Sequence, residues 1–106
     1  MMERNYSFKI IEYNVEVDDS KTLYNISYTN EQGHVRKVDK IQGSWRKLIV
    51  VPNKKIPIHL STISYERMNG IMEANIHIDG ELISEDNSNI GIVNILSIEK
   101  PSYERS

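Results

Sequence analysis

The chain has 106 residues, which is room for one domain with a modest core. Hydrophobic residues make up 39% of it and charged residues 26%, the net charge is −2, and there is no cysteine. These values exclude disulfides, thiolate metal sites and a cysteine nucleophile, and they argue against a general affinity for nucleic acid. We expect a single domain over residues 1–106, with residues 102–106 as a loose tail.

The first half of the chain shows short apolar alternations separated by turn residues, which is typical of β-strands. The first strand is predicted over residues 6–17. Its apolar positions change from even to odd at Ile11, which indicates a β-bulge in mid-strand. A second strand is predicted over residues 23–29, followed by a turn at 30–33 and a short third strand over 34–38.

The second half continues this pattern after an irregular segment. Residues 41–44 are predicted to be that segment, and the strands that follow cover residues 45–51, 56–63, the two arms of a hairpin over 71–82, and 90–98, with a polar loop at 85–89. Short strands at roughly ten-residue spacing, rich in Ile, Val and Tyr, indicate an antiparallel β-sandwich or barrel. The residues predicted for its core are Tyr13, Tyr24, Ile26, Tyr28, Trp45, Ile58, Leu60, Ile76, Ile78 and Leu96.

The dipeptide Asp-Gly at positions 79–80 is the strongest hairpin signal in the chain. A two-residue turn there would pair Ile78 with Glu81 and mix apolar and polar faces. A three-residue loop, with the glycine in the left-handed conformation, pairs Ile76 with Leu82 and keeps the faces separate. We therefore predict the three-residue loop, because a one-residue slip sends every side chain to the other face.

Basic residues concentrate between His34 and His59, where Asp39 is the one acidic residue. If these strands are neighbours, one face or end of the sandwich is basic and fits anionic lipid headgroups or an acidic protein partner. The ordinary alternative is a solvated face on which lysines guard an edge strand against aggregation. The candidate binding residues are Arg36, Lys37, Lys40, Arg46, Lys47, Lys54 and Lys55.

Catalytic and metal-binding patterns are not evident in the sequence. His77 and Asp79 share an outward face of their strand, and His59 would supply a further ligand if it came close. Outward polar alternation is, however, what any half-exposed strand shows. We predict no catalytic residue, no metal site and no cofactor. A metal-dependent or sugar-directed enzyme stays open as a hypothesis that requires His59 and His77 to converge.

Three segments carry a family resemblance: residues 26–33, 38–45 and 76–82. They contain Ile-Ser-Tyr-Thr-Asn before a glycine-containing turn, a tryptophan about a dozen residues on, and an Ile-His-Ile-Asp-Gly hairpin. This set resembles the small extracytoplasmic domains of the MmpS type (mycobacterial membrane-protein S, transport accessory) and related small bacterial lipoproteins, over most of residues 22–83. The chain departs from that pattern at Gly43-Ser44, where the family has Leu-Pro, and no segment that would be expected to act as a membrane anchor is visible within these 106 residues.

The resemblance implies a single immunoglobulin-like β-sandwich of seven to eight strands that assists a transporter or another envelope complex. We therefore expect a non-enzymatic binding or accessory module at the bacterial cell envelope, with a protein or an anionic membrane surface as partner. No run of membrane-spanning length and no signal-peptide segment is visible. A cytosolic or phage-type structural module that assembles through edge strands is the alternative, and the oligomeric state stays open.

Overall fold

The computed structural model describes residues 8–53, 56–66 and 70–99, with side chains up to residue 95. This part of the chain forms eight β-strands and no helix. Their bounds are Phe8–Val17 (β1), Leu23–Thr29 (β2), Val35–Gln42 (β3), Trp45–Pro52 (β4), Ile56–Ser64 (β5), Met72–Ile78 (β6), Glu81–Ser88 (β7) and Ile92–Glu99 (β8).

The strands form two four-stranded antiparallel sheets that pack face to face. Sheet A has the order β4-β1-β6-β7 and sheet B the order β3-β2-β5-β8. The predicted all-β sandwich is thus confirmed. It has the two-sheet architecture of immunoglobulin-like domains, but its strand order is different. The first two strands of this chain lie in different sheets, whereas in immunoglobulin domains the first two strands are neighbours in one sheet.

The core lies between the sheets and is built from alternate residues of β1, β2, β4, β5, β6 and β8, whereas β3 and β7 contribute partly buried residues that pack against it. The predicted core residues are buried, except that Trp45 is half-buried and packs against the core, and that the side chain of Leu96 lies outside the described part. Further buried members are Ile11, Val15, Ile49, Val51, Met72, Ala74, Val93 and Ile95. The prediction of the core is therefore confirmed for eight of the ten residues, because alternation in a strand sets which side chains share a face.

The bulge that was predicted in β1 is wrong. The strand pairs with β4 from Phe8 to Val15 without a break in register, and it pairs with β6 equally regularly. Odd positions stay buried from Lys9 onward, which is 1% exposed, whereas Phe8 and Ile10 face solvent. The even-numbered apolar residues are therefore a second apolar face of one continuous strand.

The register predicted for the 79–80 hairpin is also wrong. Ile78 pairs with Glu81, so the turn has two residues. Both turn residues have positive φ, 51° and 85°, as a type I′ turn requires. The pairs Ile78–Glu81 and His77–Leu82 do mix polar and apolar residues, and a β-bulge directly after them lets Ile83 pack against the core.

Two segments that were predicted to be irregular or loop belong to edge strands. Residues 41–42 continue β3, and residues 85–88 continue β7. An edge strand tolerates polar side chains more readily than a central one, so polar sequence did not exclude strand there. The predicted tail at 102–106 lies outside the described residues.

Candidate binding surface

The predicted basic residues are carried by β3 and β4, which are edge strands of opposite sheets. Gly43 and Ser44 alone separate them, so both edges lie on the same side of the sandwich. The rings of Tyr28 in sheet B and Trp45 in sheet A are 5.4 Å apart and pack across this side. We call it the basic side, defined by Arg36, Lys37, Lys40, Arg46 and Lys47.

β3 distributes its cations over both faces of sheet B. Arg36 pairs with the buried Tyr28 and therefore shares its inner face, whereas Lys37 lies on the outer face. The strand bulges at Lys40, which has a φ of 58° and whose amide donates a hydrogen bond to the Asn25 side-chain oxygen at 3.0 Å. Such a bulge increases the local twist of the strand and interrupts the edge.

β4 repeats this distribution on sheet A. Lys47 pairs with the buried Tyr13 and shares its inner face, and Arg46 lies on the outer face. Both side chains are exposed, because the strand is an edge. Positive charge therefore lies in the gap between the sheets, from Arg36 and Lys47, and on both outer faces.

One cation of the basic side is neutralised by a carboxylate. The Arg46 guanidinium donates from Nε to Oε2 of Glu12 at 2.8 Å. A hydrogen bond from the Asn14 side chain, and then the charge of Arg46, hold the pKa of Glu12 below its ordinary value. Among the described residues, Arg46–Glu12 is the ion pair observed on the basic side. The predicted Lys54 and Lys55 lie outside the described residues.

The structure separates the histidines that a metal-dependent enzyme would need. His59 lies on the outer face of sheet B, where its ring nitrogen is 3.0 Å from the Ser61 hydroxyl. His77 lies on the outer face of sheet A, opposite Glu12. The two do not converge, so that hypothesis lacks its geometry. In the described part of the chain no three or more His, Asp or Glu side chains are grouped to hold a metal ion.

An apolar patch that was not among the predicted sites borders the basic side on the outer face of sheet A. It consists of Phe8 and Ile10 from β1 with Leu48 and Val50 from β4, all exposed. We call these four residues the outer patch. Its signals in the sequence are apolar residues on both phases of β1 and an unbroken apolar run at 48–51. Such runs are typical of strands that are covered on both faces.

A cleft of about 530 Å³ opens at the end of the sandwich where β2 and β4 end and β5 begins. Val51 and Ile56 line it, together with the turn at 30–33. The Asn30 side-chain oxygen accepts hydrogen bonds from the amides of Gln32 and His34, both at 3.0 Å, and so orders this turn. The volume of this cleft is within the range of small-molecule pockets. The polar groups of the turn, however, form hydrogen bonds with one another.

Comparison with protein-family models and with curated proteins finds no match for this chain. The described residues contain no helix that is long and apolar enough to cross a membrane. The function is therefore inferred from the geometry of the basic side and from the motifs quoted above.

Proposed function

We propose that this chain is a non-enzymatic binding module that contacts an acidic partner or surface through its basic side, as an accessory component of the bacterial cell envelope. One observation carries the binding part. Cations that lie up to eleven positions apart in the sequence, from Arg36 to Lys47, come from edge strands of two different sheets and line one side of the molecule. Charge gathered in this way attracts a partner of opposite sign and orients its approach.

The envelope part of the proposal is supported by the motif resemblance. The Ile26–Asn30 motif forms the end of β2 and its turn, and the 76–82 motif forms the β6–β7 hairpin. These motifs are structural elements of the sandwich, so they bear on fold more than on chemistry. The location follows from the family that they resemble: we propose a module outside the cytoplasmic membrane and associated with it, with the cytoplasm as the alternative location.

Assembly through edge strands is the weaker candidate function. Arg36 and Lys47 lie on the inner faces of their edge strands, and β3 is bulged at Lys40. Inward-facing charges and bulges are devices that prevent a sheet edge from pairing with another chain. The charged residues that obstruct edge pairing are exposed, so they can attract an anionic partner electrostatically.

The proposal predicts that reversing one charge on the basic side weakens binding to a polyanion. Lys37→Glu and Lys47→Glu are compared with wild type for binding to fluorescent poly-glutamate, by anisotropy at low ionic strength. Each variant is expected to bind at least about fivefold more weakly, since each Lys or Arg near an anionic surface contributes roughly 1 kcal/mol. The affinity of wild type is expected to fall with added salt.

The double variant N87D/N94D is the matched control, because it makes the same change of two in net charge at exposed positions of β7 and β8, the edge strands on the opposite side of the sandwich. It should bind within about twofold of wild type. Equal losses in all three variants, or no loss in any, contradict the basic side as the contact surface. The location is tested by fractionating cells of the native organism, where recovery of the gene product in the soluble fraction alone contradicts an envelope role.

A further inference from the structure

The outer patch is a contiguous surface formed by two neighbouring strands. Ile10 and Val50 are directly opposite in the β1–β4 register. Phe8 is the diagonal neighbour of Val50 and Leu48 is the diagonal neighbour of Ile10, in opposite directions along the strands. Directly opposite side chains in an antiparallel pair have Cβ atoms about 5 Å apart, and diagonal neighbours about 7–8 Å. The four residues therefore form a continuous diagonal row with Phe8 and Leu48 at its ends, and Phe8, the largest, is 65% exposed.

The apolar character of this face is concentrated at its β4 side, apart from Leu82 on β7, which pairs with the outward His77. On β6, the next strand of sheet A, the outward residues are Glu73, Asn75 and His77. A sheet face that contacts only water carries polar residues along its whole length, as the outer face of β6 does. The outer patch is therefore an apolar region within a polar face, and it lies at the β4 edge that belongs to the basic side.

The cations of the adjoining basic side favour an anionic partner for the outer patch. Lys47, exposed on the inner face of the β4 edge, directly precedes Leu48, whereas Arg46 on the outer face is paired with Glu12. Glu12, opposite Leu48, and Arg46 cancel one another's charge, and the Asp79 carboxylate accepts a hydrogen bond from the Ile10 amide at 2.9 Å. The positive charge next to the patch therefore comes from Lys47 and from the cations of β3. Apolar side chains next to cations are the combination with which proteins lie on an anionic bilayer, since the apolar groups enter the interface and the cations meet the headgroups.

We infer that the outer patch and the adjoining basic side together dock on the surface of a bilayer that contains anionic lipid. The inference rests on the proposed function, and it adds the identity of the anionic surface and the side chains that enter it. In this orientation the β4 edge faces the membrane, Leu48 and Val50 enter the interface, and Lys47 lies at the level of the headgroups.

Sheet B carries an apolar pair that serves as an internal comparison. Ile63 on β5 and Ile92 on β8 are directly opposite in register and face outward, with exposures of 55% and 51%. Leu48 and Val50 have exposures of 51% and 56%. The two pairs are thus equally exposed, but Ile63 and Ile92 lie on strands that do not belong to the basic side.

The test compares two double variants in co-sedimentation with vesicles. L48T/V50T makes the outer patch polar, and I63T/I92T makes the same kind of change on sheet B. Threonine keeps a high strand propensity, and thermal melting checks that both variants fold. Wild type and I63T/I92T are expected to bind vesicles of phosphatidylcholine with phosphatidylglycerol, but not phosphatidylcholine alone. L48T/V50T is expected to bind the anionic vesicles at least about tenfold more weakly.

Three results overturn the inference: wild type that does not bind the anionic vesicles, a variant L48T/V50T that binds as wild type does, or equal losses in both double variants. Binding to poly-glutamate separates this inference from the proposed function. L48T/V50T should bind poly-glutamate as wild type does, because its cations are intact. Wild type that binds poly-glutamate but not the vesicles overturns the membrane inference and leaves the binding module in place.

Discussion

At the scale of single residues, two tyrosine hydroxyls join parts of the sandwich that the strands alone do not connect. Tyr13 in sheet A donates a hydrogen bond of 2.6 Å to the backbone carbonyl of Thr29 in sheet B. Tyr24 in sheet B donates to the carbonyl of Gly43, in the turn that joins the two edge strands of the basic side. Both side chains are fully buried, so each hydroxyl satisfies a polar group of the interior.

Removal of the Tyr13 hydroxyl is expected to destabilise the protein. Tyr13→Phe leaves the Thr29 carbonyl without its partner in the core, at a cost of about 1–3 kcal/mol in the free energy of unfolding. Urea denaturation measures this loss. Tyr28→Phe is the matched control, since Tyr28 is also buried and its hydroxyl makes no hydrogen bond among the described residues. A loss for Tyr28→Phe as large as that for Tyr13→Phe contradicts the role of the hydrogen bond.

At the scale of elements, the β6–β7 hairpin is set by a tight turn and corrected by a bulge. Asp79 and Gly80 both have positive φ, which the dipeptide Asp-Gly adopts more readily than other pairs. The turn alone would place apolar and polar residues of β7 on one face. The bulge beside it brings Ile83 against the core and leaves Leu82 exposed. The register of the hairpin therefore depends on both features together.

Substitution of Gly80 tests the turn. Gly80→Ala is expected to lower the free energy of unfolding by about 1–2 kcal/mol, because L-residues other than glycine are disfavoured in the left-handed region. No atom lies within 4 Å of an added Cβ, so the cost comes from the backbone and not from a clash. Gly80→Asn should cost less, since asparagine visits this region more readily. Equal stability of the alanine variant and wild type in urea denaturation means that the turn is not type I′.

At the scale of the whole molecule, charge is separated across the sandwich. The basic side lies along β3 and β4, while β7, at the opposite edge of sheet A, carries Glu81, Glu85 and Asp86. The small net charge of −2 is thus the sum of two regions of opposite sign. A molecule with this distribution is attracted to an anionic surface through one side only, which gives the orientation that the membrane inference requires.

Stability of the whole molecule is expected to fall at alkaline pH. Burial raises the pKa of Tyr24 to about 12 and raises that of Tyr13 further, with a smaller contribution from nearby Tyr28. Because the pKa in the folded state exceeds the unfolded value near 10, the folded state holds the proton more tightly. The stabilisation is therefore complete below about pH 10 and is lost as the pH rises above it.

Urea midpoints measured between neutral pH and about pH 11 check this dependence. The midpoint should be level up to about pH 9 and decline above about pH 10. Tyr24→Phe should decline less steeply, since one of the two groups is removed. A midpoint that does not change up to about pH 11 contradicts the burial of these hydroxyls in the folded state.

Most strands, the all-β sandwich and about half of the buried core could be predicted from local patterns in the sequence. Alternation is a local property, so the buried phase of β2, β5 and β6 is visible in residues such as Ile26, Leu60 and Ile76 without any knowledge of their partners. The Asp-Gly turn is also local, because it depends on the backbone preferences of two residues.

The register of the hairpin, the second face of β1 and the arrangement of the candidate site could not be predicted from the sequence, because they depend on contacts between distant segments. Whether Phe8 and Ile10 signal a bulge or an exposed face depends on the pairing of β1 with β4, about forty residues away. Likewise, Lys37 and Lys47 lie on the same side because β3 and β4 are edges of two packed sheets. Strand pairing is a contact between distant segments, so no pattern within either segment specifies it.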